Sequence, residues 1–507
     1  MYTNEQIKKI LGNGKRPFVR LSPIQGIPAR VNKQGNVSLS LPYQEGLLIT
    51  QDQYLRELSP SSHKVFDKTI YPDKTVVTKL GDNGEPEEWG IEQIARTAFP
   101  FQRVIATKVK NHLTGRPLKF TLANTDTTDE IDKTFIFIQQ EFLTKNMNIA
   151  FDKCVESKET TGDCALYFFR DEGKLDWETF SYADGDSMLV RKDSLGRNYE
   201  FWRYFMSEDE EGNPQEALMI VDRINVYEFR KDAKRRKSDW VETERKAHGF
   251  SRLPVCYHRG KVAWDDVQSL IEEFEWSYSQ FCESNAYFAF PILFLSGQTT
   301  GLPQKGSQGK TLQGDSEAKA NFISKSGNDA ESFKFQFQTH LNMIFFGSFT
   351  VNITPDTLKS SGDMPSSAVR LVMHPEIEKA MEGAKEWDDF IDTMQYLFIE
   401  GLGLENRNTS ALQKVKFRTE IEIYIPENTS ELVANLNNSV TMGSLSKKSA
   451  ARQNPYRANN EYDLIKQEEK ETAELEQQSK TETVVSDNSS ELNQTNKERQ
   501  IQKQTQK

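Results

Sequence analysis

The stretch "DDVQSLIEEFEWSYSQFCESNAYFA", Asp265 to Ala289, constrains this chain most. Val267, Leu270, Ile271, Phe274, Tyr278 and Phe281 recur at helical spacing and make a single apolar stripe. Asp265 and Asp266 stand at its start, where carboxylates favour the helix macrodipole. At 1.5 Å per residue the helix is about 37 Å long. The rest of the chain must be arranged around a long rod that buries only one side.

What precedes the rod divides in two. "GIEQIARTAFPFQRVIATKVKNHLTG" spaces its apolar residues as one or two helices, stopping at Gly115 with Pro117 just beyond. "EIDKTFIFIQQEFLTKNMNIAFDKCVES" reads as two more helices. From 160 to 258 the pattern changes to short alternating runs such as "CALYFFRDEG", "YEFWRYFMS" and "LMIVDRINVYEFR", each bounded by turn chemistry. This predicts a mostly antiparallel β region. Residues 1–55 show no strong period.

After the rod, residues 291–337 are strand-like runs around Gly, Gln, Ser and Lys turns. A shorter helix is predicted over 338–347, with Phe333 to Phe337 alternating like a strand. "TVNITPDTLKSSGDMPSS" is a turn-rich loop that opens a long helical stretch from Ser366 to Gly401. Pro375 inside that stretch should kink it, because proline removes a ladder bond and clashes with the preceding turn. "KVKFRTEIEIYIP" alternates as a strand, and short helices follow to about residue 480. Beyond Lys480 polar and charged residues replace nearly all apolar ones, a disordered composition.

Only 36% of residues are apolar and 27% are charged. Those fractions fit an extended shape, large subunit interfaces or a disordered part better than a compact globule. The net charge of −11 means that the surface as a whole does not attract phosphate. Four scattered cysteines, Cys154, Cys164, Cys256 and Cys282, lack metal or disulfide spacing and suit a reducing compartment. There is no apolar leader, and no stretch reaches a membrane span, so the expectation is a soluble protein that is not secreted.

Local motifs do not assemble an enzyme. "GLPQKGSQGKT", Gly301 to Thr311, ends like a phosphate-binding loop, but Gln304 stands where its first glycine belongs. No amphipathic helix follows to hold a phosphate at its N-terminus. Leu218 to Asp222 resembles a Walker-B run, yet Arg223 follows where an ATPase wants a carboxylate. The basic run Arg230 to Lys237 lies between strands and suits a solvated hairpin tip. "SEDEEGNPQE" lacks the alternating ligands of a calcium loop. Six histidines are dispersed without metal spacing. Asp388, Asp389 and Asp392 suit a solvated helix face. No cofactor and no metal are expected.

The order of parts is more informative: a mixed body, a long helix, a small β tip, a return helix, a Ser/Gly loop, a kinked helix and a helical end. In this order, and in several stretches, the chain resembles the portal proteins of long-tailed bacteriophages. "HLTGRPLKF" (His112 to Phe120) looks like that family's helix ending in Gly-x-Pro. "TTGDCALYFFRDEGKLDWETFSYADG" (Thr160 to Gly185) is similar to its aromatic strand, Asp-Glu-Gly turn and next strand. "HGFSRLPVCYHRG" (His248 to Gly260) resembles the step before its long helix. "TMGSLSKKSAARQNPY", with Glu461 and Glu468, looks like its terminal helical segment. The likeness spans about residues 90 to 470. The start of the kinked helix departs from it, since "SSGDMPSSAVRL" inserts Met364 and Pro365, and the tip from Gln298 to Asn328 matches nothing closely.

The resemblance implies an α+β, phage-portal-like fold with an α/β wing, a helical stem, a small β clip, a long kinked helix and a helical crown. An N-terminal segment would cover 1–55, the wing 56–258, the stem helix 259–290 and the clip 291–337. The stem return helix would be 338–347, the tunnel loop 348–366, the kinked helix with a wing strand 367–425, the crown 426–480 and the tail 481–507. It further implies a dodecameric ring at one capsid vertex, through which double-stranded DNA is packaged and ejected without sequence specificity. The implied partners are the terminase large subunit, head–tail adaptor or connector proteins, and major capsid and scaffolding proteins, with no membrane. The implied place is the virion's portal vertex, after assembly in the bacterial cytoplasm. Two other readings remain: a nucleotide-dependent DNA-processing enzyme resting on Gly309-Lys310-Thr311 and Asp222, and another structural virion component such as a capsid or neck protein.

The geometry of such a ring is reasonable. Twelve helices at about 10 Å spacing give a radius near 19 Å and a bore of roughly 28 Å, wide enough for a duplex. Within it, Asp265, Asp266, Glu272, Glu273 and Glu275 either line the bore and repel phosphate or form an ordinary solvated face. The tunnel loop would carry Asp356, Lys359, Ser360, Ser361 and Asp363, with Lys359 its only base and the candidate contact to passing phosphates. The clip's docking tip would carry Gly301, Lys305, Gly306, Gly309 and Lys310.

Overall fold

The computed structural model describes residues 2–11, 30–31, 37–38, 51–80, 85–124, 128–209, 211–231, 240–288, 292–296, 299–300, 313–314, 319–323, 327–352, 370–406, 409–425, 429–456 and 464–472. The chain divides into two compact units, Met1–Pro355 with Val372–Ile425, and Asp356–Leu371 with Pro426–Lys507.

The first unit opens with helices α1 (Asn4–Leu11) and α2 (Gln51–Leu58), then an antiparallel ribbon, β1 (Lys74–Leu80) and β2 (Pro86–Glu92). Next come α3 (Phe101–Thr114), strand β3 (Lys119–Leu122), α4 (Asp129–Thr144) and α5 (Met147–Thr161). The expected stop at Gly115 holds, for a different reason. Gly115 is right-handed, with φ −64°, so no left-handed cap demands glycine. Its missing side chain makes room instead: a Cβ would lie 2.4 Å from the Asn111 carbonyl and 2.8 Å from Tyr424 Cβ. At α4 the side chain of Thr128 caps the first turn by accepting from the Ile131 N–H, and Asn146, with φ 55°, separates α4 from α5.

The predicted β region forms two antiparallel sheets. One has three strands in the order β11–β4–β5, from β4 (Asp163–Asp171), β5 (Lys174–Phe180) and β11 (Val255–Arg259). The other is a five-stranded meander of β6 (Ser187–Lys192), β7 (Asn198–Glu208), β8 (Pro214–Val221), β9 (Asn225–Lys231) and β10 (Val241–Ala247). Strand period two decides how the meander packs. Met219 and Val221 face the smaller sheet's Ala165, Tyr167 and Phe180. Leu218 and Ile220 face the other way, onto Trp202, Tyr227, Trp240 and Ile7 of α1. The N-terminal segment, aperiodic in sequence, thus supplies the lid on a sheet buried on both sides.

Beyond the sheets run α6 (Gln268–Phe288), a small antiparallel pair β12 (Ile292–Ser296) and β13 (Lys319–Ile323), and α7 (Gly327–Gly347). The long rod is therefore a 3₁₀ turn at Asp265–Val267 followed by 21 helical residues. The return helix is also 21 residues, not the predicted short piece, and begins at Gly327 within the span assigned to the β tip. The alternation of Phe333, Phe335 and Phe337 does not mark a strand. Phe333 and Phe337 share a helix face and pack on α6, whereas Phe335 points out with 74% of its surface exposed.

Of the stretch predicted as one kinked helix, the described part holds helical residues 370–372, a turn at Met373, and then α8 (His374–Glu386) and α9 (Asp388–Asn406). A break thus falls beside Pro375, which lies in the first turn of α8, where its missing N–H costs nothing. A second break, which the sequence did not announce, falls at Trp387, which is fully buried. Helix α10 (Thr409–Lys414) and strand β14 (Phe417–Glu420) close the unit, β14 pairing antiparallel with β3. Its largest core joins α3, α4, α5, β4 and α9 through residues such as Leu113, Phe142, Phe151, Phe168, Trp387 and Phe398.

In the second unit, α11 (Thr429–Thr441) and α12 (Lys447–Gln453) are helical, as are residues 464–472. Ser446 caps α12 by accepting from the Ser449 N–H, and Lys447 pairs with Glu469. The tail beyond Lys480 lies outside the described residues.

Candidate functional site

Helices α6 and α7 run antiparallel, held by an aromatic ladder. Phe281 stacks flat on Phe333 with centroids 3.4 Å apart, Tyr278 meets Phe333 and Phe337, and Phe274 meets Phe337 at 4.9 Å. At the base Trp264, Val267, Ile271, Phe274 and Ile344 close a core with Ile105 and Ala106 of α3. Val267, Ile271, Phe274, Tyr278 and Phe281 are positions of the stripe read from the sequence. The pair is a stiff rod rooted in the body.

The five rod carboxylates named as channel candidates have different fates. Glu275 is buried, so it faces the protomer's interior rather than a bore. Its Oε1 lies 2.8 Å from His63 Nδ1 and accepts the Phe99 N–H at 2.8 Å. Glu272 is half-buried and pairs with Lys64 at 2.9 Å. Asp265 is nearly covered, accepting the Tyr54 hydroxyl at 3.3 Å and pairing with Lys261 at 3.2 Å. Asp266, also paired with Lys261 at 2.9 Å, is well exposed, as is Glu273. Helix spacing could not sort these five, because the groups that cover them, Tyr54, His63, Lys64 and Phe99, are distant in sequence.

That N-terminal contribution builds a buried polar cluster under the rod. Glu57 accepts Trp264 Nε1–H at 3.0 Å and Gln53 Nε2 at 2.8 Å. Burial pushes the Glu57 carboxyl up to about 7, although both hydrogen bonds oppose that shift. His63 bridges the cluster, its Nε2 2.6 Å from the Glu57 carbonyl.

A second cluster stands where α7 ends. Phe349 adopts φ 56°, turning the chain, and Ser348 and Thr350 are buried. Glu376, from the first turn of α8, is buried beside them. It accepts the Val351 N–H at 2.6 Å, Lys108 Nζ at 2.7 Å and His112 Nε2–H at 3.1 Å. Lys108 also reaches the Val351 carbonyl, and Lys379 donates to the Ser348 and Ala263 carbonyls. Burial alone would raise Glu376, but the bonds from His112, Lys108 and Val351 outweigh it and hold the carboxyl at about 2. His112 moves the other way, raised by its bond to Glu376 against the cost of burial. Its Nδ1 lies 2.7 Å from the Tyr424 carbonyl, so both ring nitrogens face acceptors and the imidazolium fits the site. One carboxylate thus ties Val351, shortly past the end of α7, to the first turn of α8. Asp356, Lys359, Ser360, Ser361 and Asp363, assigned to the tunnel loop, lie outside the described residues, as do Gly301, Lys305, Gly306, Gly309 and Lys310 of the tip.

The alternative chemistry finds no support in Asp222. Its Oδ1 accepts the Ile224 and Asn225 N–H groups and its Oδ2 the Tyr227 hydroxyl, an Asx turn between β8 and β9. Among the described residues no group of three or more His, Cys, Asp or Glu could hold a metal ion. No described helix is long and apolar enough to cross a membrane.

No curated protein matches the chain. Among solved structures, one described as the neck of an empty GTA particle computed with C6 symmetry is similar at 10% identity and a TM-score of 0.39. That likeness covers 73% of this chain and 90% of the other. The family model for the phage portal protein of SPP1 Gp6-like type matches residues 92–475, most of the chain. The matched span takes in the sheets, the α6–α7 rod, the Glu376 cluster and the terminal helices, and this chain belongs to the SPP1 Gp6-like phage portal protein family.

Proposed function

We propose that copies of this chain form a dodecameric ring at one capsid vertex, with α6–α7 pairs side by side as the wall of a channel for double-stranded DNA. The observation that carries this reading is the rod itself: two 21-residue antiparallel helices joined by a small β tip, with Glu376 of α8 accepting the Val351 N–H shortly past the second helix. Such a wall supplies no hydrolytic energy. The β tip, with Gly301, Lys305, Gly306, Gly309 and Lys310, is the docking point for the terminase large subunit during packaging and for head–tail adaptors afterwards. Major capsid and scaffolding proteins meet the ring's outer side, and assembly takes place in the bacterial cytoplasm before the ring becomes part of the virion. Class-averaged electron micrographs test the proposal: annular particles of about a dozen copies support it. A strictly monomeric protein, or ATP hydrolysis abolished by Lys310→Ala, overturns it.

A channel through which a genome slides needs little net attraction for phosphate, since gripping many phosphates makes binding tight and salt-dependent. Asp266 and Glu273, the two well-exposed residues among the five candidates, are the residues for this role; Glu275 is not. Asp266→Lys with Glu273→Lys should leave ring assembly intact and lower packaged DNA by about tenfold. Unchanged packaging would place both residues on the ring's outer face. In the loop, Lys359 touches passing phosphates, so Lys359→Glu should alter packaging or DNA retention. Packaging and retention identical to the parent would remove Lys359 from the channel.

A further inference from the structure

The ribbon β1–β2 is an exposed arm. Thr75 pairs with Ile91 and Val77 with Trp89, so these four side chains share one face. That face is uncharged and largely uncovered, with Trp89 62% and Ile91 77% exposed. A lone two-stranded ribbon is marginal in water unless its apolar face packs on something. Its root is nevertheless firm. Before the ribbon Tyr71 stacks on Trp276 of α6 at 4.2 Å, and Lys74, its first residue, pairs with Glu283 of α6. After it, Arg96 binds Asp73 at 2.6 Å, and the Thr97 N–H donates to Ser279 of α6 at 2.9 Å. The arm is held at both ends on one helix while its apolar face stands in solvent.

The same unit carries a second bare apolar strip. On α7 the face opposite the aromatic ladder shows Phe335, Met343 and Phe346, the last 85% exposed. Phe335 and Phe346 are eleven positions apart, three turns, and so lie in line. No Asp, Glu, Lys or Arg occurs from Phe335 to Gly347, although an outward helix face in water is ordinarily charged.

We infer that the Val77–Trp89–Ile91 face of each arm docks on the Phe335–Phe346 strip of a second copy of this chain. The contact cannot be made within one protomer, because the strip faces away from α6 and the arm is rooted on α6. Two different uncharged patches on one chain make a heterologous contact, the kind that repeats head to tail and closes a ring. Charge-poor, aromatic patches are what the centre of a protein interface contains. This rests on the ring proposed above and adds to it which surfaces join the copies.

The full-length chain carrying Cys282→Ser tests it, since Cys282 is half-exposed and the other three cysteines are buried. In that background Trp89→Cys should react with a maleimide at least tenfold more slowly in isolated rings than in dissociated protomers. The double variant Trp89→Cys, Phe346→Cys should form disulfide-linked dimers and higher species that neither single variant forms. Trp89→Asp with Ile91→Asp, checked for unchanged circular dichroism, should lower the ring fraction at least tenfold. Rings that form normally with the aspartates, or in which the thiol of the Trp89→Cys variant labels as fast as in protomers, overturn the arm and leave the ring reading standing. A parent protein that forms no rings at all overturns both.

Discussion

Glu376→Ala is expected to cost about 3 kcal/mol of protomer stability, because it strands buried donors rather than removing one bond. His112 would lose the acceptor that favours its charge, the part-buried Val351 N–H would be left unpaired, and Lys108 would keep only a carbonyl. Denaturant unfolding of dissociated protomers measures the loss. The pH dependence gives a sharper check. The carboxyl is depressed from 4.5 to about 2, so its contribution is complete above about pH 4.5 and is lost as pH falls towards 2. His112 is raised above 6.5, so its contribution is complete below about pH 6.5 and is lost as pH rises through the higher folded value. The parent's stability should therefore fall on both sides of a plateau between these limits. Glu376→Ala should flatten both limbs, and His112→Gln should remove the alkaline one while only reducing the acid one, since Lys108 and the Val351 N–H still hold the carboxylate. An acid limb unchanged by Glu376→Ala would show that the cluster does not carry it.

Trp387→Ala should be costlier still, about 3–5 kcal/mol, the range for emptying a buried aromatic site. Trp387 lies edge-on to Phe151 at 5.3 Å and to Phe390 at 5.1 Å, with the His258 ring at 4.5 Å. Its indole Nε1 is buried without a hydrogen-bond partner, so nothing polar is lost when the nitrogen goes. Trp387→Phe should therefore cost well under half as much as the alanine change, since packing and not hydrogen bonding holds the site. Equal costs for the two variants would mean that the indole nitrogen matters. A cost for alanine below about 1 kcal/mol would mean that the core collapses around the break.

The sheets and helices that pack on themselves locally were legible because local chemistry and tertiary environment agreed. The α6 stripe was visible at its period, and its residues do face α7. Strand alternation from 160 to 258 was clear because turns such as Asp-Glu-Gly marked each end. The N-terminal segment, by contrast, had no period to read: Ile7 of α1 is buried only because a sheet far along the chain offers it a face. The ribbon at 74–92 was missed for the opposite reason, since it buries almost nothing and so leaves no alternating signal.

By itself the sequence determined the place of the rod and the change from helices to strands before it, because turn residues and apolar periods act over a few neighbours. Only the tertiary structure decided which carboxylates are exposed. Asp266 and Glu273 stay in solvent while Glu275 disappears against His63 and Phe99, and no spacing along one helix encodes what a distant segment lays upon it. The structure likewise turned the Phe333–Phe337 alternation into a helix, because Phe333 and Phe337 find α6 opposite them, and that surface exists only once the chain has folded.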